Sequence, residues 1–292
     1  MIAPVSRRTL LSTGGALAAS AFLPTSLAGP PEATKTAATR GAKLDFRLLP
    51  LKLTHAWTIS RNTSTEKKNG LLTVTAEGIT GYGEAAANVR YGQSFESAEK
   101  AFAKVAKAVE GLSPWEHLTW LERAENEAGV DSEVVAALDM ALWDWKGKKL
   151  GAPVHRLLGI PTGRMAVTTY SIGIDTADVM KAKVKEAARY PHLKVKVGLP
   201  DDEANVTAIR SVSDKPIRVD ANEGWKSAAE AVTKIAWLKT MGIEFVEQPL
   251  PSFMNAEMKA VKAAAGLPLV ADESVLHPAD IPGLVGLFDG IN

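Results

Sequence analysis

HLKVKVG, residues 192–198, is a short apolar strand that carries lysines at alternate positions. Three later segments follow a similar plan, because in each an apolar run ends on an acidic residue: IRVDANEGW (217–225), EFVEQPLP (244–251) and LVADES (269–274). A helical pattern separates each run from the next. Alternating β and α units of this length predict a parallel sheet, and their regular succession favours a TIM-type β/α barrel over a doubly wound sheet.

The barrel pattern begins near Met165 and is expected to reach a sixth strand near Gly290. We predict its other strands at 167–172, 193–197, 217–219, 243–246 and 267–271. We predict the intervening helices at 176–190, 201–212, 227–241, 255–265 and 278–287. The first strand is not followed by a glycine-rich phosphate loop, which argues against a nucleotide-binding fold.

The residues before Met165 have a different character. Apolar, partly alternating runs between 43 and 88 predict antiparallel strands, and helical patterns follow at 97–109, 114–127 and 132–148. We therefore expect an α/β chain with two parts. A smaller α+β domain occupies 43–164, and an incomplete barrel that ends at its sixth strand occupies 165–292.

Asp220, Glu247 and Asp272 stand at the ends of three successive predicted strands. They are 27 and 25 positions apart, about one βα repeat, so all three carboxylates are expected at the C-terminal face of the sheet. Converging carboxylates repel one another unless a cation lies between them. A hard divalent ion resolves that repulsion, and Mg²⁺ is the natural choice. Taken singly, each residue could instead cap a turn.

Lys194 and Lys196 are separated by one residue, so their side chains are expected on the same side of the strand, inside the barrel. Burial near a divalent cation disfavours an ammonium group and is expected to lower the pKa of such a lysine toward neutrality. That shift suits a general base. Without the acidic segments, the pair would fit the charges of an edge strand better.

The composition sets limits on the function. The 292 residues carry a net charge of +1, which gives no reason to expect a nucleic acid or an anionic membrane as partner. The chain has no cysteine, so disulfides, thiolate nucleophiles and cysteine zinc sites are excluded. The five histidines show no metal-type spacing.

The first 28 residues resemble an export signal. SRRTLL (6–11) precedes a mildly apolar stretch, and SLA (26–28) forms a small-residue cleavage site. Paired arginines and weak hydrophobicity are typical of a twin-arginine signal, so we expect an exported, periplasmic protein. The apolar stretch is too short and too rich in glycine and alanine to remain as a membrane anchor, and 29–42 is expected to be a flexible linker.

The segments KVK (194–196), DANEGW (220–225), EQPLP (247–251) and ADES (271–274), in this order, resemble the enolase superfamily. Within its muconate-lactonising branch they are most similar to dipeptide epimerases of the L-Ala-D/L-Glu type. The resemblance covers essentially 43–292, and it makes the first domain, with GITGYGEAA (78–86), a capping domain.

This resemblance implies a reaction and assigns roles in it. Asp220, Glu247 and Asp272 would hold Mg²⁺, Lys196 would be an acid/base, and Lys194 would assist charge balance. The reaction would be removal of the proton α to a carboxylate through an enediolate, on a small molecule such as the dipeptide Ala-Glu.

Arg61, in SRNTS (60–64), falls where a mobile capping loop of the family reaches over the site. It matches a residue that in some relatives contacts the acidic side chain of the substrate, although a plain surface arginine fits the sequence about as well. Trp57, Tyr91 and Trp225 could line the same pocket, but a core or rim position is expected for each.

The chain ends at Asn292, and by the resemblance we expect it to be truncated. The family's second catalytic lysine, on the sixth strand, and its acidic pair, on the eighth, would lie beyond this residue. An incomplete barrel leaves open sheet edges and would have reason to form a homo-oligomer. Three functions stay open: a Mg²⁺-dependent dipeptide epimerase, another enzyme of the branch (cycloisomerase, N-succinylamino-acid racemase or o-succinylbenzoate synthase), and an inactive fragment.

Overall fold

The computed structural model describes residues 41–164 and 166–292. The described residues belong to one compact unit. The predicted export signal and nearly all of the predicted linker lie outside the described residues. Across the described ranges, none of the helices has both the length and the apolar character that a membrane crossing requires.

The first part of the chain opens with a three-stranded antiparallel meander. Its strands are β1 (Lys43–Thr58), β2 (Thr63–Ala76) and β3 (Ile79–Ala85). Alternate residues of β2, such as Leu72 and Val74, are buried, as expected of a sheet with one covered face. A two-residue turn joins β2 to β3, and both turn residues, Glu77 and Gly78, adopt positive φ angles (52° and 74°), which tight hairpins favour.

The β1–β2 hairpin is long. The sequence pattern between 43 and 88 did not mark where its first strand ends, and β1 continues to Thr58 with a register shift between Lys52 and Trp57. Pairing with β2 resumes at Trp57 and Thr58, so residues 59–62 form a tight end of the hairpin, in which the Ile59 N–H donates to the Asn62 oxygen. The loop expected around Arg61 is therefore the tip of a hairpin.

Four helices follow: α1 (Phe95–Ala108), α2 (His117–Ala128), α3 (Glu133–Leu150) and α4 (Val154–Leu157). The Ser94 and Ser132 side chains cap α1 and α3 by accepting backbone N–H groups, as N-cap serines do. Helix α3 packs directly on β3, because Gly81 and Gly83 let the two backbones approach. A Cβ on Gly83 would collide with the Ala137 carbonyl oxygen.

The second part of the chain is a parallel sheet. Its six strands pair in chain order: β4 (Thr169–Ile172), β5 (His192–Lys196), β6 (Ile217–Asp220), β7 (Ile243–Glu247), β8 (Leu269–Ala271) and β9 (Gly290–Ile291). The helices between them are α5 (Ala177–Glu186), α6 (Asp202–Arg210), α7 (Ala228–Thr240), α8 (Asn255–Ala264) and α9 (Ile281–Leu284). The predicted α/β fold class, a capping α+β layer followed by a parallel barrel-type sheet, is confirmed.

Two predicted helices end earlier than expected. The helix predicted at 176–190 stops at Glu186 and continues as a 3₁₀ turn. The helix predicted at 278–287 is split into a 3₁₀ turn and the four residues of α9. The cause lies in Val285, which is extended, and in Gly286, whose φ of 84° no right-handed helix accommodates.

The parallel register positions the site. It pairs Lys196 with Asp220, and Asp220 with Glu247, so charged residues at the ends of β5, β6 and β7 become neighbours. Apolar residues of the same strands, including Val195, Val219 and Val246, are completely buried against the helices. The strands are therefore anchored by their apolar residues, and the charged residues meet at one end of the sheet.

The contact between α3 and β3 can be tested with Gly83→Ala. The added Cβ would collide with the Ala137 oxygen, so we expect a loss of about 2 to 3 kcal/mol in the free energy of unfolding. Urea denaturation would measure it. Gly163→Ala is the matched control, because a Cβ at that position would have no described neighbour within 4 Å. Equal stabilities of the two variants would contradict the close packing.

Candidate active site

The three carboxylates predicted as metal ligands converge at the C-terminal end of the parallel sheet. Asp220 and Glu247 are the last residues of β6 and β7, and Asp272 directly follows β8. One carboxylate oxygen from each lies within 4.8 Å of the others. Asp220 is completely buried and Glu247 nearly so. The structure thus brings together residues from three separate βα units.

Both lysines of β5 reach these carboxylates from one side. The Lys196 Nζ donates to Asp220 Oδ2 at 2.6 Å. The Lys194 Nζ lies 2.7 Å from Glu247 Oε1 and 3.0 Å from Asp220 Oδ2. The amide of Asn292 also donates to Glu247 Oε1, at 2.9 Å. Among the described residues, these two ammonium groups are the positive charges paired with the cluster.

The pKa values reflect this crowding. Burial and the charge of Asp220 raise the pKa of Glu247 to about 7, against the opposing effect of Lys194. Burial and Asp220 likewise raise the pKa of Asp272. Burial would also raise the pKa of Asp220, but Lys196 and Lys194 outweigh it and the pKa is lowered. Burial alone would lower the pKa of Lys194, yet Asp220 and Glu247 raise it.

The donor set fits a hard divalent cation. Three carboxylates face two ammonium groups, and the Asp272 carboxylate has no ion pair within 4.0 Å among the described residues. Nearby, two buried acceptor oxygens, Asn222 Oδ1 and Glu273 Oε2, lack a hydrogen-bond partner in the described part of the chain. The site therefore carries excess negative charge and oxygen donors, which is the environment that Mg²⁺ prefers.

The backbone beside the carboxylates is strained. Asn222, Glu223 and Gln248 have φ angles of 45°, 64° and 34°, a region that non-glycine residues rarely adopt. Such strain persists only where the surroundings enforce it. For Gln248 the enforcement is visible, because its Oε1 accepts the N–H groups of Asp272 and Ser274, at 3.0 and 3.1 Å. Gln248 thus joins the end of β7 to the residues that follow β8.

Arg61 lies at the rim of this site and is bound to protein groups. Its Nη1 donates to the Asn222 oxygen at 2.7 Å, to Glu273 Oε1 at 2.8 Å and to Glu223 Oε2 at 3.2 Å. Arg90, from the segment after β3, donates two further hydrogen bonds to Glu223, of 2.7 and 2.9 Å. The tip of the β1–β2 hairpin and the segment after β3 are thereby tied to the loops of the parallel sheet.

A cavity of about 660 Å³ lies between these parts. Its walls include Arg61, Lys196 and Asp272, together with two of the three aromatic residues named above, Trp57 and Tyr91. The Lys196 Nζ is 5.9 Å from the centre of the Trp57 ring. Trp225 instead belongs to the core, where its indole N–H donates to Asp202 at 3.1 Å.

The sequence patterns assigned no role to Arg90, Glu223, Asn222, Glu273 or Gln248. Four of these lie inside the quoted segments DANEGW, EQPLP and ADES, directly after or close to a predicted ligand. Their position beside strand ends was a usable signal. Arg90 follows no strand end in the parallel sheet, so only the folded structure shows where it binds.

The fold and the arrangement of the site are those of the enolase superfamily. Residues 177–286 match the family model described as enolase C-terminal domain-like. Residues 46–159 match the N-terminal domain of mandelate racemase / muconate lactonizing enzyme. The chain belongs to this mandelate racemase and muconate lactonizing enzyme family.

Known relatives in this family are isomerases. The chain is 38% identical over 255 residues to L-Ala-D/L-Glu epimerase from Bacteroides thetaiotaomicron, a match that covers 86% of this chain and 66% of the relative. A dipeptide epimerase from Enterococcus faecalis, solved with Mg and the dipeptide L-Leu-L-Tyr, is 29% identical with a TM-score of 0.79, over 86% of this chain and 74% of that one. N-succinyl Arg/Lys racemase from Bacillus cereus is 27% identical with a TM-score of 0.77, over 87% and 72%. The chain thus spans about two thirds to three quarters of the length of these relatives.

The raised pKa of Glu247 predicts how stability depends on pH. Its ordinary pKa is 4.5 and its pKa in the folded protein is about 7, so between these values the folded state holds a proton that the unfolded state has released. The free energy of unfolding of the metal-free protein should therefore fall as pH rises from about 5 to about 7, with a contribution from Glu247 of about 1 to 3 kcal/mol.

Urea denaturation in EDTA at a series of pH values would measure this slope. Glu247→Gln should remove the part of the slope that Glu247 contributes. Glu244→Gln, an exposed position on the same strand, is the control and should keep the wild-type slope. Parallel slopes for wild type and Glu247→Gln would show that Glu247 does not titrate in this range.

Proposed function

We propose that the protein is a Mg²⁺-dependent epimerase that removes the proton α to a carboxylate, on a dipeptide such as Ala-Glu. The observation that carries the proposal is the cluster of Asp220, Glu247 and Asp272 beside Lys194 and Lys196, at the wall of a cavity large enough for a dipeptide. The identities of the relatives support the dipeptide class. Racemisation of an N-succinylamino acid is the second candidate, because the B. cereus relative shares the fold over the same region.

Each group has a defined task in this reaction. Asp220, Glu247 and Asp272 would hold the cation through their oxygens. A bound Mg²⁺ would polarise the substrate carboxylate and so make the adjacent C–H bond acidic enough to break. Lys196 Nζ, which lines the cavity, would take the proton from the α carbon. Lys194 Nζ, between Asp220 and Glu247, would balance their charge.

Proton exchange in D₂O tests this proposal directly. With Mg²⁺ and L-Ala-L-Glu or L-Ala-D-Glu, we expect solvent deuterium to enter the α position of the glutamate residue, as measured by NMR. Lys194 and Lys196 lie on one strand, so exchange should be faster for one epimer than for the other. Lys196→Ala should lower the faster rate about 10²- to 10⁴-fold, the range that general bases contribute.

Lys181→Ala, a half-buried residue of α5 that pairs with Asp178, is the matched control and should exchange at the wild-type rate. Mg²⁺ should also raise the melting temperature of the wild type and of this control, but not that of Asp220→Asn. Exchange that survives in Lys196→Ala would remove this lysine from the mechanism. If the wild type shows no exchange and no Mg²⁺-dependent thermal shift, the result would favour an inert chain.

We also propose that the protein is exported by the twin-arginine route. Arg7 and Arg8, followed by a weakly apolar stretch, support this location. Replacing both arginines with lysine keeps the charge and should abolish accumulation in the periplasm of a Gram-negative host, as judged by fractionation and immunoblotting. Arg40→Lys, beyond the signal, is the control. Unchanged export of the double variant would contradict the proposal.

A further inference from the structure

Two arginines from the capping part of the chain converge on one buried carboxylate. Glu223 is only 8% exposed, and each of its oxygens accepts two hydrogen bonds. Oε1 binds Arg90 Nη2 and the N–H of Ser252, both at 2.9 Å. Oε2 binds Arg90 Nε at 2.7 Å and Arg61 Nη1 at 3.2 Å. Hydrogen bonds from Arg90 and Ser252 hold the pKa of Glu223 below its usual value despite burial, so the carboxylate is ionised.

Arg61 is held at a single nitrogen atom. Its hydrogen bonds to described residues all start from Nη1, and they end on Asn222, Glu223 and Glu273. The Nε and Nη2 groups have no hydrogen-bond partner among the described residues. About 30% of the side chain remains exposed, and it lines the cavity that also contains Lys196 and Asp272. A guanidinium group presents five N–H donors in a rigid fork that matches a carboxylate, so a free Nε/Nη2 edge is a ready receptor for one.

The backbone supports the same interpretation. Glu223 adopts a φ of 64°, a left-handed conformation that is unfavourable for a non-glycine residue. That strained conformation points the Glu223 side chain to the two arginines, and the preceding residue, Asn222, offers its carbonyl to Arg61. Because Glu223 is a fixed anion beside the long, flexible side chain of Arg61, Arg61 has fewer conformations to lose when a ligand binds to it.

We propose that Glu223 is a positioning residue for substrate selection. It holds Arg61 by one edge, so that the opposite edge receives the side-chain carboxylate of an acidic C-terminal residue in the dipeptide. Arg90 in turn fixes Glu223. This inference rests on the proposed epimerase function and adds to it the residue that sets the acidic preference.

The test compares two nearly isosteric ligands, L-Ala-L-Glu and L-Ala-L-Gln, by calorimetric binding with Mg²⁺ present. Wild type should bind the glutamate dipeptide about 10-fold more tightly, the value of one charge-assisted hydrogen-bond pair. Glu223→Gln should reduce that ratio to about 3-fold or less, and Glu223→Asp, which keeps the charge on a shorter side chain, should give an intermediate ratio. Glu244→Gln, the same change in an exposed ion pair with Arg218, should keep the wild-type ratio.

The ratio separates positioning from a merely structural role. If Glu223 only docks the capping part onto the sheet, its variants should melt at lower temperature and bind both dipeptides more weakly by the same factor, which would overturn the proposal. If Glu223→Gln does not fold, the ratio for Glu223→Asp decides, and a wild-type ratio there also overturns it. Wild type that binds neither dipeptide refutes the proposed function together with this inference. Wild type that binds both while Glu223→Gln keeps the preference refutes only the role of Glu223.

Discussion

The repulsion among Asp220, Glu247 and Asp272 is the constraint on which the rest of the site depends. Carboxylates within 4.8 Å of one another in a buried setting are costly unless positive charge compensates them. The chain supplies two ammonium groups from β5, and the raised pKa values of Glu247 and Asp272 show that this compensation is incomplete. The remaining imbalance is what makes the site receptive to a divalent cation. Under the proposed function, Lys194 would neutralise the cluster and Lys196 would move the proton.

The cluster is also the reason for the elaborate connections between neighbouring loops. Gln248 ties the segment after β8 to the end of β7, and Asp220 itself accepts the N–H of Asn222 at 2.9 Å. These bonds hold the strained backbone that presents Glu223 to the arginines of the capping part. The carboxylate cluster and the rim of the cavity are therefore one hydrogen-bonded structure, and a change in one is expected to disturb the other.

Most of the parallel sheet and the membership of the carboxylate cluster could be predicted, because both follow from local rules. Period-two alternation placed Lys194 and Lys196 on one side of β5, and the regular spacing of strand ends placed the three acidic residues at one face. The length of β1 could not be predicted in this way. Its second half is strand because Lys52, Trp57 and Thr58 pair with β2 across a register shift, and that pairing is a long-range contact.

The partners of Arg61 were out of reach for a different reason. They lie 161 to 212 positions away along the chain, and no local pattern encodes such a contact. The broken helix before β9 illustrates a third case. The predicted span contains Pro282, Gly283 and Gly286, all poor helix formers, and the chain turns at Val285 and Gly286, which brings Leu287 and Phe288 against the core. Local propensity therefore already disfavoured a continuous helix there.

The long β1–β2 hairpin has a mechanical consequence. β1 has 16 residues, so at the usual rise per residue its arm is roughly 50 Å long before twist and bending shorten it. On an arm of that length, a swing of only a few degrees at the base displaces the tip by several ångströms, more than the reach of a hydrogen bond. Ser60 and Arg61 both donate hydrogen bonds to the Asn222 carbonyl and so fix the tip of this hairpin. A substitution at the base of the hairpin would therefore displace the Arg61 guanidinium from its position over the cavity.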